Sequence, residues 1–84
     1  MASEQRIEDL KTYCKQWQES IQHMAKRRDQ LIAWQKEGTV IIENDNENIL
    51  PTLITEADDA VKLYQRIHKK MESLRDRAIN GEDV

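Results

Sequence analysis

LPTLITEADDAVKLYQRIHKKMESLRDRA, residues 50–78, carries apolar or small side chains at Leu50, Leu53, Ala57, Ala60, Tyr64, Ile67, Met71, Leu74 and Ala78. The steps alternate between three and four, the spacing that keeps one seam of an α-helix facing a partner helix. Upstream, Ile7, Leu10, Cys14, Trp17, Ile21, Met24, Arg28 and Leu31 repeat the same stepping, with Arg28 as the single interruption. The pattern predicts two long helices. Each has an apolar seam that must be covered by something.

Local signals set the boundaries. Ser3 is a cap candidate, with Glu4, Glu8 and Asp9 near the positive end of the helix dipole. Gly38 stops the first helix, because the residue past a helix end often needs positive φ. Val40, Ile41 and Ile42 then favour extended backbone, and Glu43 to Asn48 form a polar, turn-forming run. Pro51 is tolerable only in a first helical turn. Thr55 followed by Asp58 offers a later start, but the heptad already running through Leu50 and Leu53 favours the earlier one. The expected organisation is a single domain over 1–84: helix 1 over about 3–37, a connection over about 38–48, helix 2 over about 49–80, and a short tail after Gly81.

The two registers match each other when one helix runs back along the other. Leu31 with Ala57, Arg28 with Ala60, Met24 with Tyr64, Ile21 with Ile67, Trp17 with Met71, Cys14 with Leu74 and Leu10 with Ala78 all have the same sum of residue numbers. Constant sums are what antiparallel packing requires, so the expected fold is all-α, an antiparallel two-helix hairpin of coiled-coil type. Near the connection the flanks of the seam are apolar, with Ile32, Ile54, Ala25 and Val61 on one side and Trp34 and Leu63 on the other. Toward the termini they carry Lys11, Gln18, His68, Arg75 and Arg77. A stripe widened at one end predicts completion to a four-helix bundle by dimerisation, or coverage by another protein.

Val40, Ile41 and Ile42 sit in a connection that would ordinarily be polar. They either plug the hairpin end against Trp34 and Leu53 or present a strand to another chain. The expected oligomer or partner interface is Ile32, Trp34, Val40, Ile41, Ile42, Ile54, Val61 and Leu63. Arg28 is expected to fix register, its stem across Ala60 and its head toward Asp59 or Glu56.

Signals for chemistry are weak. His23 and His68 lack a companion ligand at helical spacing, and Asp45-Asn46-Glu47 lacks the central glycine and terminal glutamate of a calcium loop. No glycine-rich phosphate loop or nucleophile elbow is visible, and a hairpin offers no concavity to desolvate a reaction. No enzyme activity, cofactor or metal is therefore expected. The basic clusters Lys26-Arg27-Arg28 and Lys69-Lys70 with Arg75 and Arg77 are the basis of an alternative nucleic-acid-associated reading. Folding the hairpin would bring the first cluster near Asp58 and Asp59 and the second opposite Glu19 and Asp9. A net charge of −3 and the lack of stacking aromatics among the basic residues disfavour that alternative.

At 84 residues the chain buries only roughly 60% of its unfolded surface, which leaves it marginal without self-association or a partner. One cysteine excludes an internal disulfide and suits a reducing compartment, and Met1 to Glu4 begin no apolar leader. The sequence is thus expected to be a soluble, cytoplasmic, non-catalytic protein-binding module: an adaptor, assembly chaperone or inhibitor. It would bind itself and an unidentified protein, with an accessory subunit of an enzyme as a further alternative. No membrane association is expected.

Overall fold

A computed structural model of the chain describes residues 3–43 and 46–84. Two helices, α1 (Glu4–Lys36) and α2 (Leu50–Ile79), lie antiparallel in a rod of 57 × 21 × 15 Å. The Asn44-Asp45 part of the expected polar turn lies outside the described residues.

Each helix end has a chemical reason. The Ser3 hydroxyl accepts the Arg6 backbone N–H at 3.1 Å, satisfying one of the donors that a helix start leaves without partners. At the other end Gly38 adopts φ +82°, its N–H reaching the Gln35 carbonyl while the Thr39 N–H reaches that of Trp34. Gly81, at φ +89°, closes α2 the same way, with its own N–H on Ala78 and the Glu82 N–H on Arg77. Both are Schellman closures, and the left-handed residue in each is a glycine because a Cβ would strain it. The start of α2 is capped from outside the helix: Asn48 Oδ1 accepts the Leu50 N–H at 3.2 Å, and Pro51 occupies the first turn, where its missing donor costs nothing. Thr55 caps nothing, since its hydroxyl donates to the Pro51 carbonyl within the helix.

None of the seventeen heptad residues is exposed. Leu10, Cys14 and Leu31 from α1 and Leu50, Ala57, Val61 and Ala78 from α2 are buried. Leu31, Leu50 and Ala57 form a cluster at the loop end, with Met24, Trp34, Ile41, Leu53 and Ile54 packed against it. The core is a single layer, so most of its side chains keep one edge in water.

The structure corrects the seam in detail. Val61, expected on an exposed flank, is 4% exposed and more deeply buried than Ala60, which was expected in the seam. His68 and Arg75, expected at the open flank, are also partly covered. The face of α2 is therefore turned toward Val61. Two causes act together: burying the extra methyls of valine in place of alanine gains roughly 1–2 kcal/mol, and an untwisted helix of 3.6 residues per turn drifts by about 20° per heptad from a strict 3.5 repeat. Trp17, expected opposite Met71, reaches along the seam to Tyr64, with ring centroids 5.3 Å apart and planes tilted by 58°. A tilted pair at this separation avoids the face-to-face repulsion of two ring quadrupoles.

Candidate interaction surface

The connection is built by alternation. Ile41 donates its N–H to Asn48 Oδ1 at 3.1 Å and accepts the Ile49 N–H at 2.8 Å, while Glu43 N–H faces the Glu47 carbonyl at 3.5 Å. Asn46 turns the chain between them with φ +62°, a conformation asparagine tolerates better than most residues. The result is a short antiparallel bridge, Ile42 opposite Asn48. Because neighbouring residues of an extended strand point to opposite sides, Ile41 faces inward and Val40 and Ile42 face out.

This alternation divides the three aliphatics. Ile41 folds down onto the Leu31–Leu50–Ala57 cluster, together with Trp34 and Leu53. Val40 and Ile42 remain 58% and 51% exposed. Of the other residues expected at the interface, Ile54 and Trp34 are half-buried against the same cluster, Ile32 is half-buried, and Leu63 is exposed. Val61 belongs to the interior of the hairpin and leaves the set. What remains outward is Val40 and Ile42 at the connection and Leu63 farther along α2, with the open edges of Ile32, Trp34 and Ile54. Sequence reasoning missed Asn48, whose side chain ties the connection to α2; a cap-forming asparagine two residues before the helix's first residue was the available signal.

Arg28 reaches across the hairpin, but to Asp58 and not to Asp59 or Glu56. Its Nη1 lies 3.0 Å from Asp58 Oδ1, and its Nε lies 3.3 Å from the neighbouring Asp29. Asp58 also receives Lys62 Nζ at 3.0 Å. Its carboxyl is held below its ordinary value by Lys62 first and Arg28 second, and the guanidinium of Arg28 is raised by the same Asp58 contact. Through this carboxylate one contact joins α1 to α2 across the hairpin.

Among the described residues Lys26 and Arg27 make no ion pair across the hairpin, and Asp58 is taken instead by Arg28 and Lys62. The second basic cluster is compensated within its own helix and tail: Arg75 pairs with Asp76 and Glu72, and Arg77 with Glu82. Asp76 is the main cause raising the guanidinium of Arg75. Only the Arg75–Glu72 pair uses helical spacing; Asp76 is the next residue in the chain, and Glu82 lies in the tail past the end of α2.

Cys14 is buried, and burial pushes its thiol up although Arg75 opposes this, which disfavours the thiolate. His68 Nδ1 lies 3.1 Å from Glu72, and His23 lies in a shallow exposed groove with Lys26, Arg27 and Gln30. Among the described residues no three His, Cys, Asp or Glu side chains gather around a point where a metal could sit, and no helix is long and apolar enough to cross a membrane. The chain matches no family model, and no curated protein or solved structure gives a significant match to it.

Proposed function

We propose that the chain is a small non-catalytic protein-binding module that self-associates through its loop end and uses the same region, or the adjoining faces, to engage a larger protein. The observation that carries this reading is the outward pair Val40 and Ile42, more than half exposed, beside a cluster whose outer members Ile54, Trp34 and Leu53 are only half covered. Large aliphatics left in water next to an incompletely covered apolar cluster favour association. A single-layer core of seven buried side chains supports the same reading, because it supplies little stability by itself. A second copy laid over Ile32 and Ile54 would complete a four-helix arrangement.

The test is the solution mass by light scattering across a hundredfold range of concentration. A mass of twice 9.9 kDa, reduced to one copy by Ile32→Glu with helicity retained, is the expected result. A monomer at every concentration would remove self-association and leave only the partner-binding half of the proposal.

A further inference from the structure

We infer that the outer edge of residues 40–43 is a strand-addition site that takes an extended, apolar segment flanked by lysine or arginine from a partner protein. The inference rests on the protein-binding reading above and names the kind of partner.

The backbone comes first. Ile41 spends its N–H and C=O inward, on Asn48 and Ile49. Val40 and Ile42 point theirs the opposite way, and among the described residues none of those four groups has a hydrogen-bond partner. An edge that offers two donors and two acceptors in extended geometry matches the backbone of another strand, and a helix, whose own groups are internally used, cannot answer it. The side chains agree, since Val40 and Ile42 stand outward at a spacing of two, as alternate pockets of an added strand require.

Charge then selects the occupant. From Glu37 to Asn48 the sequence has four carboxylates, Glu37, Glu43, Asp45 and Glu47, and no lysine or arginine. Glu43 follows the edge directly, and Glu47 lies across the bridge from it. A second copy pairing edge to edge would bring another stretch without lysine or arginine against Glu43. A basic-flanked strand meets the same carboxylates with opposite sign, which favours both its approach and its register.

The probe is a capped peptide of alternating valine and threonine with two lysines at each end, titrated into the isotope-labelled full chain and followed by amide shifts and hydrogen exchange. The expected result is binding mapped to residues 40–43, with exchange of the Ile42 amide slowed. The same peptide with two glutamates at each end should bind at least about tenfold more weakly. N-methylation of the two amides that face the edge should also weaken binding by about tenfold or more, the loss of two hydrogen bonds. Ile42→Pro should abolish it while leaving the melting temperature nearly unchanged, because the N–H removed has no partner in the hairpin.

The N-methylated arm tests the idea even if the proline variant fails to fold. The inference is overturned by equal binding of the N-methylated or acidic-flanked peptide, by shifts confined to the helix faces, by no binding at all, or by a dimer that protects the Ile42 amide without peptide. If binding fails while light scattering finds an association broken by Ile32→Glu, only this inference falls. A monomer that binds no peptide removes this inference and self-association together, and leaves only a partner on the adjoining helix faces.

Discussion

Leu31→Ala tests whether the hairpin closes within one chain around its loop-end cluster. Leu31 is 2% exposed and packs with Leu50 and Ala57. The substitution removes three carbons, worth about 2.4 kcal/mol at about 0.8 kcal/mol each, before any cost of the space left behind. Buried leucines elsewhere lose about 2.7–5 kcal/mol in total, the excess growing with the cavity that survives. Here the layer is one side chain thick, and a groove lined by Met24, Leu53 and Glu56 opens beside Leu31, so the gap can relax or fill with water. We therefore expect the low end, about 2.5–3 kcal/mol, or about 10–20 °C in melting temperature. For a domain of this size that is about a fifth or more of a total stability of about 4–12 kcal/mol. Urea unfolding followed by circular dichroism, at two protein concentrations tenfold apart, separates this loss from any change in association. Leu63→Ala is the control: at 45% exposure it should cost no more than about 0.5 kcal/mol. A loss at Leu31 below about 1 kcal/mol, or equal to that at Leu63, would refute the intrachain core.

Three further expectations concern the elements that fix the ends and the register. Asn48→Ala should cost about 1 kcal/mol in urea unfolding, since one oxygen serves both Ile41 and Leu50, and Asn48→Asp, which keeps an acceptor, should cost less. Asp58 is held below its ordinary carboxyl value, so its contribution is complete above the unfolded-state value of about 3.9 and fades as pH falls through the lower folded-state value. Asp58→Asn should flatten that part of the melting-temperature profile below about pH 4 relative to the parent, and parallel profiles would count against the Arg28–Asp58–Lys62 contact. Gly38→Ala should cost about 1–2 kcal/mol from backbone strain alone, because a Cβ there meets nothing within 4 Å; a neutral result in thermal melts would mean that the Schellman closure is dispensable.

Much of this architecture could be read from residue spacing. Both heptads, the Ser3 cap, the Gly38 and Gly81 closures and the antiparallel packing follow from local chemistry, which acts over a turn or two of helix and is written in adjacent residues. The exposed side of α2 was harder to read. Whether Ala60 or Val61 faces α1 depends on a rotation of the helix about its own axis, and an apolar residue on either side satisfies a heptad count. The salt-bridge partner of Arg28 depends on the same rotation, which brings Asp58 inward in place of Asp59. At the connection, composition identified Val40 to Ile42 as unusual, but only the bridge to Asn48 shows which of the three turns inward. That bridge is closed by backbone bonds from Ile49 to Ile41 and from Glu43 to Glu47, with one side-chain oxygen of Asn48 added, a pairing too local for periodicity to register.

The antiparallel arrangement also orders the hairpin in time. Pairs along the seam are separated by ever longer stretches of chain with distance from the connection: about 26 residues between Leu31 and Ala57, and about 68 between Leu10 and Ala78, a difference worth about 0.9 kcal/mol in closure entropy. The loop-end cluster is therefore the natural nucleus, and the remaining layers add like the teeth of a zip toward the termini. Damage at Leu31 or Leu50 should slow folding, whereas equal damage at Leu10 should mainly hasten unfolding. In the folded rod the same gradient makes the termini the first part to open and the connection, where the exposed aliphatics stand, the last part to lose its shape.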